Sequence, residues 1–202
     1  MSKATDDDFI EGIMLGGSKQ LPPKVLARMF EFYVSGAITS PENYVDDFNV
    51  IRHLGPEDVV KVYLNSGGGY LATAIQYMRV LAETEATVIV SIEGDCMSAA
   101  TMIFLAADQW EVTPHSSFMI HNYSGGTGGK GHEMYGQVQY ERKWSEKLLR
   151  EVYEHFLNEQ EINAVLDGKD LWMDVDELVL RMEKRAKALQ ELADLEDATK
   201  PD

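Results

Sequence analysis

Short runs rich in valine, isoleucine and tyrosine alternate along the chain with stretches whose apolar residues recur every three or four positions. EFYVSGAI (31–38), VVKVYLNS (59–66) and ATVIVSIEG (86–94) predict strands, since β-branched and aromatic side chains suit a pleated, half-buried surface. QWEVTP and SFMIHNY (117–123) are two further strand candidates. Between the first two strands, Ser40 and Pro41 form a cap and first-turn pair that opens a helical stretch. After GGG (67–69), Leu71, Ala74, Ile75, Met78 and Leu81 recur at helical spacing. A small-residue helix is predicted after Ser98, and a long amphipathic helix over roughly 131–157, where Trp144, Leu148, Val152 and Phe156 make an i+4 row. The last third reads as helical and charged, with Val175, Leu178, Val179, Met182, Ala186 and Leu189 on one face. Strands alternating with helices predict an α/β layered fold with largely parallel pairing. Residues 1–28, an acidic start followed by LGGSKQLPPK, predict loose structure.

Composition narrows the class. A chain of 202 residues, 45% hydrophobic and 26% charged, is long enough to bury one substantial core. No apolar run approaches the ~20 residues a membrane helix needs. MSKATDDDFIEG carries acids where a secretory signal would carry positive charge, so the expectation is a cytoplasmic protein without membrane association. Cys96 is the single cysteine, which excludes an internal disulfide framework and a thiolate-rich metal site. With 34 acidic against 18 basic residues, the net charge of −16 argues against nucleic acid as a partner. No cofactor and no metal site are expected.

The chemistry-bearing stretch is GDCMSAATMIF (94–104), where a β-branched run stops and a small-residue helix begins. Ser98 there is either a helix cap or a nucleophile at a strand-to-helix turn; GDCMSAA lacks the flanking glycines of the G-x-S-x-G elbow. Serine acyl transfer also needs a base, an orienting acid and main-chain N–H groups aimed at the oxyanion. Of five histidines, His121 ends the apolar run SFMI beside a glycine-dense segment, SGGTGGKG (124–131), where a strand delivers a side chain to a site edge. His53, His132 and His155 fall on or at the ends of predicted helices, and His115 follows a proline in a turn. NSGGG (65–69) ends one strand and opens a helix, and successive glycines there let N–H groups meet an anion or an extended peptide. No Gly-Lys-Ser/Thr follows, so a phosphate loop is disfavoured. Cys96 is a second conceivable nucleophile; on an apolar strand it reads as buried and inert.

VYLNSGGG, GDCMSAAT and FMIHNYSGG in this order, followed by D-x-W-M-D at 170–174, resemble the Clp protease proteolytic subunit (ClpP) family over about 32–178. The resemblance implies a ClpP/crotonase-like fold of layered parallel sheets and helices with a long protruding handle helix. It implies a serine endopeptidase with Ser98 as nucleophile, His121 as base and Asp170 as orienting acid, and oxyanion donors at the Gly69 and Ala99 N–H groups. On residue type alone Asp167, Asp174 and Asp176 are equal rivals of Asp170. Gly67, Gly68, Ser124 and Gly125 are implied to bind a substrate strand. The resemblance further implies unfolded proteins as substrates, heptameric rings of identical subunits that pair into a hollow barrel, and an AAA+ unfoldase as partner.

Gly67 stands where the family has proline, the proline after the histidine is missing, and ELVLRMEKRAKAL continues as helix into an acidic tail. The N-terminus shows no counterpart of the family's axial gate, which points to an unfamiliar partner or to action without an unfoldase. The expected organisation is a divergent segment (1–28), a peptidase domain (29–190) and an acidic tail (191–202). Alternatives are a catalytically silent ring subunit, a virus-encoded protease processing a capsid or scaffold protein, and crotonase-type acyl-CoA chemistry, which the acidic charge disfavours.

Overall fold

A computed structural model describes residues 27–199. In chain order these form β1 (Arg28–Ser35), a 3-10 turn (Pro41–Tyr44), α1 (Val45–Arg52), β2 (Asp58–Ser66), α2 (Leu71–Glu83) and β3 (Thr87–Met97). There follow α3 (Ala99–Leu105), β4 (Gln109–Val112), β5 (Ser117–Ile120), α4 (Gly131–Val152), α5 (Glu159–Leu166), β6 (Leu171–Met173) and α6 (Val175–Thr199). The architecture is α/β, as the alternation predicts. Most of the N-terminal segment set apart in the sequence lies outside the described residues.

One six-stranded sheet runs β1-β2-β3-β5-β6, with β4 on β3. All pairs are parallel except β5 with β6. Val60, Val62 and Leu64 of β2 and Val88, Val90 and Ile92 of β3 are buried at alternate positions, the period of two that strand geometry imposes. Phe48 of α1 and Tyr77 of α2 meet edge-on, ring centroids 4.7 Å apart, over that face. β3 is the longest strand and serves two neighbours in succession. Its first half pairs with β4 through Ile89–Ile92, and its end pairs with β5 through Asp95–Met97. Between them the register against β2 shifts, and the Asn65 side-chain oxygen accepts the Asp95 N–H at 3.0 Å. This break lets β3 continue past the sheet's middle and carry its end to Ser98. All seven residues of α3 are buried, as befits a helix that is apolar or small all round.

Two elements differ from the sequence expectation. The long helix stops at Val152 instead of reaching 157, because Tyr153, Phe156 and Leu157 turn back into the core. The reversal passes through His155 at φ 62. Asn158 then caps α5, accepting the Glu161 N–H at 3.0 Å while Glu161 accepts the Asn158 N–H at 2.9 Å. The last third also contains the three-residue strand β6, too short for any periodicity to announce. The continuation of helix into the acidic tail is as expected: α6 runs unbroken past residue 190, with Leu178 and Met182 its buried residues. Among the described residues no helix is long and apolar enough to cross a membrane.

Candidate active site

Ser98 is the single residue between β3 and α3, at φ 55 and ψ −128, a conformation that costs a non-glycine residue about 1–3 kcal/mol. Its neighbours enforce it. Cys96 is locked in the sheet, Ala99 starts a buried helix, and the Ser98 N–H donates to the Met119 carbonyl of β5 at 2.8 Å. Reversing the chain within one residue turns the serine side chain outward. The Ser98 carbonyl is held from below: the Thr101 hydroxyl donates to it at 2.6 Å and lies 2.6 Å from the Tyr153 hydroxyl. With the threonine hydrogen so used, Tyr153 is the donor to Thr101. Burial pushes the Tyr153 phenol upward, so it stays neutral.

His121 follows the last residue of β5, and its Nε2 lies 2.7 Å from Ser98 Oγ. For the serine to donate to Nε2, the other ring nitrogen must carry a proton, which calls for an acceptor beside it. In the β5–β6 ladder Phe118 pairs with Met173, Met119 with Trp172 and Ile120 with Leu171. The next step of that register carries Asp170 toward His121. Asp170 is exposed and makes no hydrogen bond to His121 in this structure. Of its acidic rivals, Asp174 is committed, its carboxylate accepting the Glu177 N–H at 2.9 Å as α6 begins. Asp167 lines a neighbouring recess with Asn122, and Asp176 sits in the first turn of α6.

The glycine turn lies directly over the serine. A Cβ on Gly68, at φ 92, would come 2.7 Å from both the Met97 carbonyl oxygen and Ser98 Cβ. Gly68 is buried, its N–H donating to Ser66 Oγ at 3.1 Å and its carbonyl accepting from Ile38 at 2.9 Å. Its main chain is therefore already paired, which leaves it the role of a close-packed floor. Gly67 is exposed beside it. Gly69 bridges to Ile38. Neither the Gly69 N–H nor the Ala99 N–H has a hydrogen-bond partner among the described residues. Gly69, Ala99 and Ser98 line one cleft.

A cleft of about 630 Å³ opens in front of Ser98 and His121. Leu71, Met102, Trp144, Leu148 and Val152 supply an apolar lining, and Ser124 and Gly125 line it as well. Trp144 and Leu148, grouped in the sequence as a packing row, thus face the cleft, while Ser145, Leu149 and Val152 are the buried residues of α4. Glu141 and Tyr123, which the sequence did not single out, stand at the mouth, the tyrosine hydroxyl donating to the carboxylate at 3.5 Å. Only the i, i+3, i+7 relation of Glu141 to Trp144 and Leu148 hinted at a shared face. Cys96 is fully buried, and burial pushes its thiol well above the ordinary range, so no thiolate competes with Ser98. Among the described residues no group of three or more His, Cys, Asp or Glu is arranged to hold a metal ion.

A mostly parallel sheet that presents a strained serine at a strand-to-helix turn, hydrogen-bonded to a histidine at the end of a neighbouring strand, defines an α/β protein with a serine–histidine site. The family model for Clp protease matches residues 35–180, and the chain belongs to that family. Among solved structures, a ClpP1 mutant from Listeria monocytogenes superposes with a TM-score of 0.63 at 20% identity, covering 75% of this chain and 86% of that one. At that identity the likeness speaks for the fold.

Proposed function

We propose that this chain is a serine endopeptidase subunit in which Ser98, His121 and Asp170 act as nucleophile, base and orienting acid. The observation that carries the reading is the 2.7 Å contact between His121 Nε2 and Ser98 Oγ on a strained turn. Ser98 Oγ attacks the scissile carbonyl as its proton passes to Nε2, forming the Oγ–C bond and an oxyanion. The Gly69 and Ala99 N–H groups receive that oxyanion, each worth about 3 kcal/mol in the transition state. Collapse breaks the C–N bond, the leaving amine takes the proton from Nε2, and water repeats the sequence on the acyl-enzyme. Peptide carbonyls and N–H groups pair beside Gly67 and along Ser124 and Gly125, while the apolar wall takes an apolar side chain next to the scissile bond. Main-chain pairing of this kind accepts many sequences, which suits unfolded proteins as substrates.

Assembly follows the family's pattern: homo-oligomeric rings, heptameric and stacked in pairs, enclose the sites, and an AAA+ unfoldase feeds them in the cytoplasm. The outer half of α4 supports self-association, with Tyr135 and Val138 69% and 47% exposed. A silent ring subunit is the second reading, favoured by the missing His121–Asp170 hydrogen bond. The test is a fluorophosphonate probe on purified protein, read by intact mass beside Ser98→Ala and His121→Ala. A single adduct absent from both variants is the expected result. No adduct on a folded, assembled protein would replace the peptidase by the silent subunit.

A further inference from the structure

The C-terminal half of α6 leaves the body of the molecule. Leu178 and Met182 are buried, whereas Leu189, Leu192 and Leu195 remain 41%, 45% and 63% exposed. Local physics does not hold such a stretch helical by itself. Lone helices shorter than about 12–15 residues are marginal in water, and among the described residues the last turn of α6 holds acidic Glu196 and no basic residue.

Its sequence carries two further patterns. Arg185, Leu189, Leu192, Glu196 and Thr199 follow the alternating four and three spacing of a coiled-coil seam. Charge is also segregated: Lys184, Arg185 and Lys187 gather near the body, with Glu183 among them, while Glu191, Asp194 and Glu196 gather toward the tip. In an antiparallel pair of identical helices, a single alignment sets Leu189 against Leu192, Arg185 against Glu196 and Ala188 against Ala193. A parallel pair would set Arg185 on Arg185 and Glu196 on Glu196.

An independent observation lies at Arg185. Its Nε is buried with no hydrogen-bond partner among the described residues, and burial pushes its guanidinium below its usual range. A half-desolvated cation without an anion is unfavourable. Glu196 of the same helix is eleven residues on, about 16 Å along the axis, so it cannot answer from its own chain. Glu196 of a second copy is set opposite Arg185 in the antiparallel alignment, where its carboxylate meets the outer nitrogens of the guanidinium and answers the charge, while Nε stays inside. A polar pair at one seam position is also a known means of fixing register and orientation.

We propose that Arg185–Glu196 pairs antiparallel with the same segment of a second copy of this chain, with Leu189 and Leu192 packed at its centre and Arg185 bound to Glu196 across it. This interface is separate from the catalytic cleft and stands whether or not Ser98 is active.

Sedimentation of the full chain tests it. Glu196→Arg is expected to weaken the association at least tenfold, and Arg185→Glu combined with Glu196→Arg to recover it to within about threefold. Because Arg185 is half-buried and its substitution can disturb folding, a second measurement uses Leu189→Cys and Leu192→Cys chains. Mixed and oxidised, they are expected to form a covalent heterodimer far faster than either variant alone. Faster self-crosslinking of each single variant would establish a parallel pair and overturn the proposal. Unchanged mass in Glu196→Arg with no crosslinking would mean that this helix is not paired with its copy, and would overturn it as well.

Discussion

At the residue scale the assignment turns on which acid serves His121. The sequence left Asp167, Asp170, Asp174 and Asp176 equal, and the resemblance alone chose among them. The β5–β6 register supplies a physical reason for Asp170, since the step after Ile120–Leu171 leads to His121 and Asp170. That reason could not be read earlier, because a three-residue strand leaves no periodic trace. Ser98 and His121 were legible for the opposite reason, each standing at the end of an unmistakable apolar run. An orienting acid fixes the imidazole tautomer, and its amide imposes the wrong one at about a 10⁴-fold cost in turnover in the serine-protease triad. Asp170→Asn is therefore expected to lower kcat by about 10⁴ with KM little changed, and Asp167→Asn to stay within about threefold. Steady-state hydrolysis of a fluorogenic peptide checks it, and equal losses in both variants would return the choice to open.

At the element scale, strands of four or more residues were legible because apolar, β-branched and aromatic side chains mark them. The end of α4 was not, since Trp144, Leu148, Val152 and Phe156 continue one helical row across a point where tertiary packing of Tyr153 and Phe156 wins. What fastens the segments after that reversal is Arg181. Its guanidinium donates to Glu161 at 2.6 and 3.0 Å, to Glu177 at 2.7 and 3.0 Å and to the Phe156 carbonyl at 3.2 Å, joining α6, α5 and the turn between α4 and α5. The Arg181 hydrogen bonds hold the Glu161 carboxyl below its ordinary value, with the Asn158 N–H acting the same way. A carboxylate so depressed in the folded state contributes stability above its unfolded value, and that contribution is lost as pH falls through the folded one. Glu161→Gln is accordingly expected to lower the urea midpoint at neutral pH. The difference from wild type should narrow as pH drops below about 4. A gap that is constant with pH would mean that the charge of the carboxylate contributes nothing to stability.

For the whole molecule, shape and charge act together on what reaches the cleft. A net charge of −16 on 202 residues surrounds an opening whose inner wall is apolar and whose mouth holds Glu141. Fields of one sign raise the local concentration of opposite charge and repel like charge, with encounter rates changing by 10-fold or more. The ring proposed above would intensify this, because it would gather several such chains around one space. The acidic balance that argues against nucleic acid as a partner therefore predicts selection among peptides as well. Two fluorogenic peptides sharing one apolar residue at the cleavage site, one flanked by lysines and one by glutamates, separate this effect from pocket fit. At about 20 mM salt the lysine peptide is expected to show a kcat/KM roughly tenfold higher, carried mainly by KM. At about 0.5 M salt, where the screening length falls to roughly 4 Å, the two should converge. A preference that survives high salt would locate the discrimination in direct contact, and Glu141→Gln would then remove it.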